Sequence, residues 1–313
     1  MIELITVRAP EKPGIISAVL AALTDIFGAE EGELERRQLS GAEAADNEDV
    51  LFTAWEDGRL LSTIHLTVSR AHPGFGCLGG LVTLPAARGK GLAGRLFGQA
   101  CSYYDDLGGG TLFLGTSNPM AARLYSKFGF SFITGTNIMV RTSAGSLFDF
   151  YRDAYAPGQI TYGPAGDFCR VPIVPLAAAR GRDMLMDTNI GLISTDYVTQ
   201  VSCTGLYPRL LRVMARGGVW CAALPTGALC ALCTVQEQED GASLDAFAYP
   251  GFEHTLPQLM EMACAGYRNL TARIADCDKE KKALFASLGF EEKGPCLFTC
   301  RGLQIPCTLM TRE

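Results

Sequence analysis

The sequence predicts an α/β (α+β) fold built as two units of similar layout. Three observations carry this. The chain has 313 residues, 48% hydrophobic and 19% charged, enough for two ordinary cores of about 150 residues each. Strand-like runs alternate with helix-like ones, with hairpin signals at Asp57-Gly58 and Pro225-Thr226-Gly227. Finally, the second half repeats the order of the first, and KALFASLGF at 282–290 matches RLYSKFGF at 123–130.

In chain order, residues 1–8 alternate as a first strand, and Pro13 opens an apolar helix to Phe27. Residues 29–49 are acidic and polar, with Glu30, Glu31, Glu33 and Glu35, and read as an amphipathic helix plus a loop with a solvated face. Residues 50–56 and 59–68 form a hairpin whose Asp57-Gly58 suits a type I′ turn. On its second strand the alternation puts Leu60, Ile64, Leu66 and Val68 on one face and Thr63, His65 and Thr67 on the other. A strand at 77–84, a helix at 91–106 ended by Gly108-Gly109-Gly110, and a strand at 111–114 follow. Asn118 then caps a helix with Pro119 in its first turn, and Gly129 ends it. Residues 130–141 supply one long or two short closing strands.

The segment VTLPAARGKGLAGRL at 82–96 is a strand broken by a proline, a basic glycine-rich turn and a helix start. A helix start leaves about four N–H groups without intrahelical partners and carries roughly half a positive charge, which suits an anion. Glycines let the backbone come close to a pyrophosphate, and Arg88, Lys90 and Arg95 add charge. No Gly-Lys-Ser/Thr follows four spacer residues, and no G-x-G-x-x-G spacing is present, so neither common nucleotide fingerprint applies.

Arg88-x-x-Gly91-x-Ala93 resembles the acyl-CoA pyrophosphate loop of the GNAT superfamily of N-acyltransferases. NPMAARLYSKFGF at 118–130 is similar to that family's second signature, at the family's separation from the loop. The resemblance implies a central mixed, mostly antiparallel sheet flanked by helices. It also implies direct attack of an amine on the thioester of acetyl-CoA, a co-substrate, with no metal. The backbone of Leu81, Val82, Thr83 and Leu84 is then expected to pair with the pantetheine arm, between fourth and fifth strands that splay apart. The N–H groups of Gly89, Lys90, Gly91, Leu92, Ala93 and Gly94, with Arg88, are expected to hold the pyrophosphate, and Asn118 is counted among the cofactor contacts. Tyr125 sits where the family places the group that protonates the leaving thiolate, and an N–H near Val82 is the expected oxyanion donor. Residues 29–49 correspond to a lid over the acceptor.

The base for the incoming amine stays open. No acid lies between Gly74 and Leu84, so the family's fourth-strand glutamate is missing. His65 suits base work by its ordinary pKa. Glu56 and His72 are further candidates, and a water chain with no single base is another solution.

Residues 1–143 thus read as the acyl-CoA-binding catalytic domain, 144–158 as a linker helix, and 159–313 as a degenerate second copy. In the second half, strands are expected at 168–174, 219–224, 229–235 and 243–248, and helices at 176–186, 206–216 and 254–267. Residues 249–256, YPGFEHTL, lack the loop pattern, Glu253 puts a negative charge there, and Phe285 replaces the tyrosine. One coenzyme A per chain is the consequence.

A net charge of −6 and a pI near 5.3 argue against nucleic acid as the main partner. No signal peptide or membrane-length apolar run is visible. Twelve cysteines without a secretory signal point to a reducing cytoplasm. Cys230-x-x-Cys233 falls in a strand-like run, where that spacing puts the thiols on opposite faces and argues against zinc. The expected partner is a small-molecule or peptide amine, with no membrane, the chain being a monomer or homodimer. A non-catalytic acyl-CoA sensor is the alternative, and a hydrolase or nucleotide-binding protein using the loop on ATP a third.

Overall fold

The computed structural model describes residues 1–179, 184–195, 203–300 and 302–313. It resolves into two compact units, one made of Met1–Ile133, Ile138–Asp153 and, at the start of a later helix, Cys203 and Thr204, the other of Thr134–Asn137 and the rest of the described chain from Ala154 onward.

The first unit runs β1 (Glu3–Arg8), α1 (Pro13–Phe27), α2 (Ala29–Leu39), β2 (Asn47–Glu56), β3 (Arg59–Ser69), β4 (Phe75–Thr83), α3 (Leu92–Asp106), β5 (Thr111–Gly115), α4 (Pro119–Ser126), β6 (Ser131–Phe132), β7 (Ile138–Thr142) and α5 (Leu147–Ala154). Its seven strands lie in the order β1-β2-β3-β4-β5-β7-β6. The β4–β5 pair alone is parallel, and it pairs only Phe75, Gly76 and Cys77 with Thr111, Leu112 and Phe113. Beyond that the two strands part. At the β2–β3 turn, Asp57 and Gly58 both have positive φ, 49° and 73°, as a type I′ hairpin requires.

Apolar residues cover both faces of the sheet. On one side Leu92, Leu96, Phe97, Ala100 and Tyr104 of α3 and Tyr125 of α4 pack on Phe52, Ile64, Leu66 and Leu78. On the other, Val19, Leu20 and Leu23 of α1 and Leu39 of α2 pack on Val7, Leu51 and Val82. Leu60 belongs with this second set, not with Ile64 and Leu66 as strict alternation predicts. The register shifts at Ala54/Trp55, so Leu61 is an extra residue of β3, and such a bulge reverses the side-chain phase. Helix α5 is part of the first unit's packing, since Phe150 meets Phe75 and Phe113 edge-on at 5.6 and 5.5 Å.

The second unit contains β8 (Thr161–Pro164), α6 (Ile173–Ala178), β9 (Met184–Asp187), β10 (Leu192–Thr195), α7 (Cys203–Met214), β11 (Gly217–Ala223), β12 (Leu229–Gln238), β13 (Gly241–Ala248), α8 (Leu256–Cys264), β14 (Leu270–Ala275), α9 (Lys279–Ser287), β15 (Glu291–Cys300) and β16 (Leu303–Arg312). Its large sheet has the order β8-β11-β12-β13-β14-β16-β15. Again one pair is parallel, β13 with β14, through Ala242 and Ser243 only. Strand for strand, this is the layout of the first sheet.

Two expectations for this half fail. Residues 168–174 are not a strand but a 3-10 turn at Asp167–Cys169 followed by the start of α6. Pro172 and Pro175 remove the N–H groups a central strand needs, while proline suits a helix start. The helix expected at 176–186 ends at Ala178. Met184–Asp187 is a strand instead, and 180–183 lie outside the described residues. The unit's first strand is β8, which pairs through β11 alone. Its Gly163-Pro164 reads as a linker signal, but edge strands tolerate proline. Cys230 and Cys233 are both buried in β12, and the Cys230 thiol donates to the Ala222 carbonyl at 3.4 Å.

Candidate active site

Where β4 and β5 part, they leave a cleft of about 340 Å³. One wall is Leu78, Gly79, Gly80 and Leu81 of β4, and the other is Leu114, Gly115 and Thr116 at the end of β5. The opening follows from local geometry. Thr63 pairs with Val82 and His65 with Gly79, so β4 carries one extra residue at Gly80–Leu81. Gly80 takes φ 57°, a conformation that glycine adopts at little cost. The bulge bends β4 and interrupts its ladder.

At one end of the cleft, Pro85 and the 3-10 turn Pro85–Ala87 stop β4. Gly89 and Gly91 follow with φ 81° and 72°, and Gly91 caps α3 without a side-chain cap. The Ala87 and Arg88 amides are bonded to Leu84 and Pro85, and the next bonded amide is Arg95, to Gly91 at 3.2 Å. The six N–H groups from Gly89 to Gly94 therefore meet no acceptor among the described residues. Six donors beside a helix N-terminus form an anion site. Lys90 stands over this loop, paired with Glu56 at 3.3 Å, and the Arg88 Nε donates to the Thr83 carbonyl at 3.3 Å.

Helix α4 closes the far side. Asn118 caps it, its Oδ1 accepting from the Met120 and Ala121 amides at 2.9 and 3.4 Å. Gly129 has φ 86°, and the Phe130 amide returns to the Tyr125 carbonyl at 3.3 Å, so the helix starts and ends as its sequence predicts. Tyr125 stacks on Phe97 at 4.8 Å and 18°. Its ring lines the cleft, and its hydroxyl has no hydrogen-bond partner among the described residues. Burial pushes its pKa up to about 12, so the phenol keeps its proton.

The structure redistributes the other predicted residues. Of Leu81, Val82, Thr83 and Leu84, only Leu81 lines the cleft. The Val82 carbonyl accepts from Ser62 at 2.7 Å, and the Leu84 amide donates to Leu61 at 2.9 Å. Glu56, offered as a base, is committed to Lys90 at the hairpin end, outside the cleft lining. His72 lies in the turn ahead of β4, also outside it. His65, the other candidate, is no free base. Its Nδ1 is 2.9 Å from Glu35 Oε2 and its Nε2 is 2.8 Å from Asp49 Oδ1. Burial alone lowers its pKa, but the two carboxylates outweigh it and raise the value to about 9, so the ring is an imidazolium at neutral pH.

Glu35 is the residue that sequence reasoning passed over. It is 4% exposed and lines the cleft from α2, while Glu33 two residues away has a side chain 77% exposed. A signal was present. Gly32, Glu35, Gln38 and Leu39 are the buried positions of α2, a three-to-four spacing that marks one inward stripe.

Residues 16–130 match the family model described as "Acetyltransferase (GNAT) family". The first unit carries a GNAT acetyltransferase domain. Solved structures similar to the chain include an acyl-CoA N-acyltransferase from Pseudomonas aeruginosa (22% identity, 45% of this chain and 100% of that one, TM-score 0.38). Another is a GNAT family acetyltransferase from Brucella melitensis in complex with acetyl-CoA (19%, 47% and 91%, 0.36). A third is the GNAT family N-acetyltransferase YhbS from Escherichia coli in complex with CoA (21%, 45% and 83%, 0.35). No curated protein matches the chain in sequence. No described helix is long and apolar enough to cross a membrane.

The second unit carries other residues at the matching places of its sheet and helices. Counted from the capping residues Asn118 and Asp278, Phe285 stands where the GNAT domain has Tyr125, and Lys281 where it has Ala121. Counted from the first residues of the parallel pairs, Phe247 stands at the place of Gly80. Lys281 is buried and bonds Asp245 and the Met186 carbonyl. A cleft lined by Phe247, Glu253 and Lys281 in this unit has a volume of about 110 Å³. At the helix start the Gly251 amide donates to the chain's own Glu253 carboxylate at 2.8 Å.

Proposed function

We propose that this protein moves an acyl group, acetyl in the simplest case, from acyl-CoA to an amine by direct attack in the β4–β5 cleft. The observation that carries the reading is the run of six unpartnered N–H groups from Gly89 to Gly94, on the loop that follows β4, the strand that walls a cleft lined also by Tyr125. Pyrophosphate is a fitting anion for that run, with Arg88 and Lys90 beside it. The acyl-pantetheine arm of the co-substrate fits the gap between the strands, along Gly79–Leu81, where the bulge leaves β4 backbone without regular pairing. A Gly80 or Leu81 amide, one to two residues before Val82, is the candidate oxyanion donor, a kind of contact worth several kcal/mol. Tyr125, protonated to about pH 12, donates its proton to the departing thiolate.

We propose further that the second unit is a second copy of the fold without a coenzyme A site. Glu253 already satisfies the Gly251 amide with a negative charge, and Phe285 has no hydroxyl to give. The acceptor is a small-molecule or peptide amine, and the chemistry fits a cytoplasmic enzyme with access to acetyl-CoA. The test is release of free coenzyme A thiol from acetyl-CoA with a panel of amines. Turnover supports the enzyme. Tight binding of coenzyme A without turnover of any amine favours an acyl-CoA sensor, and tighter binding of ATP than of coenzyme A overturns the reading of the loop.

A further inference from the structure

An amine of ordinary pKa, near 10, reaches the cleft at neutral pH as an ammonium ion, and it must lose a proton before it can attack. Resting on the acyltransfer reading above, we propose that Glu35 takes this proton, that His65 and Asp49 are its positioning residues, and that the acceptor is a primary amine drawn in as a cation.

Glu35 has the required geometry. It reaches into the cleft from α2, in the same lining as Gly80, Leu81 and Tyr125. Its Oε2 is fixed by His65 Nδ1 at 2.9 Å. Its Oε1 has no hydrogen bond among the described residues and lies beside the bulge, where a Cβ on Gly80 would stand 3.7 Å from it. A purely structural carboxylate at this burial would have both oxygens satisfied, whereas this one keeps an acceptor on the cleft side.

The rest of the cluster holds that carboxylate in place. The second ring nitrogen of His65 faces Asp49 Oδ1 at 2.8 Å, and the same oxygen accepts from Thr67 Oγ1 at 2.9 Å. The groups that face the ring are thus Glu35 from α2, Asp49 from β2, Thr67 from its own strand, and the uncharged Gly79 and Gly80 of β4. With an acceptor at each nitrogen, the ring carries both protons. Two carboxylates and one imidazolium leave a net charge of −1 buried at the cleft wall, which favours a cation over a neutral or anionic acceptor. The strand glutamate that the fourth strand lacks is supplied from a helix on the opposite side of that strand.

The step balances. The ammonium gives one proton to Glu35. The freed nitrogen lone pair forms the C–N bond to the thioester carbon, and the C–S bond breaks with its electron pair on sulfur. Tyr125 gives its proton to that thiolate and regains one from the amide nitrogen. Glu35 releases its proton to solvent as the products leave.

The test uses the full chain, acetyl-CoA and a panel of primary amines (spermidine, tyramine, glycine methyl ester and a pentapeptide with a free N-terminus). Glu35→Gln is expected to lower kcat about 10²-fold or more, with the Kd for acetyl-CoA changed less than about twofold. The deficit should narrow as pH approaches the pKa of the amine, where the acceptor arrives already deprotonated. His65→Gln is expected to alter the pH profile of kcat/KM, because the cation beside Glu35 is gone. A merely structural triad would leave that profile unchanged. Should Glu35→Gln fail to fold, Glu35→Asp keeps the charge, draws it back one methylene, and carries the same test. Unchanged kcat and pH profile in the variant that folds would overturn the proposal, as would bound acetyl-CoA with no turnover of any primary amine. Failure of acetyl-CoA to bind the wild-type chain would overturn the reading of the cleft itself.

Discussion

Tyr125 and His65 are the two side chains whose charge states decide most at the level of single residues. The Tyr125 hydroxyl is buried against Phe97 and keeps its proton to about pH 12, which makes it an acid and not a base. Tyr125→Phe retains the stack and removes the proton. It should lower kcat about 10²-fold or more while the acetyl-CoA Kd stays within about twofold, as steady-state kinetics and calorimetry would show. For His65 the prediction concerns stability. Its value in the fold, about 9, lies above the ordinary 6.5, so the folded state binds the proton more tightly. The resulting stabilisation is present in full below about pH 6.5 and is lost as pH rises through about 9. Urea unfolding from pH 6 to 9.5 should show stability falling across that window, and His65→Gln should remove most of the slope.

Among the elements, helix ends were the most legible from sequence and strand phase the least. Asn118, Pro119 and Gly129 each do what their residue types predict, because capping depends on a few neighbouring atoms. Asn118→Ala should cost about 1 kcal/mol, read as a shift in the denaturation midpoint. The Gly89–Gly94 loop was legible for the same reason, since a helix start and its free amides are local. Leu60 was placed on the wrong face because Leu61 is an extra residue that only strand pairing reveals. β8 was missed because Gly163-Pro164 has the composition of a linker and becomes a strand only by pairing with β11. Glu35 was hidden among acidic neighbours. Its partners His65 and Asp49 lie 30 and 14 residues away on two different strands, and no spacing along the chain announces such a meeting.

At the scale of the whole molecule, the two sheets share one strand order and one parallel pair each. The second half was recognisable from its hairpin and its Leu-Gly-Phe ending, because the same packing needs recur in the same order. In the proposed reading its chemistry differs through a few replacements. Phe247 and Lys281 fill the cleft, Phe285 removes the hydroxyl, and Glu253 meets the loop amide. Coenzyme A binding should therefore be a property of the first unit alone. The most direct test is a calorimetric titration of the full chain with coenzyme A, run beside Gly91→Glu, which sets a side chain at φ 72° and a carboxylate among the six amides. The expected result is one equivalent bound per wild-type chain and no binding to the variant. No heat from the wild-type chain, two equivalents, or a variant that binds as well as the parent would contradict it.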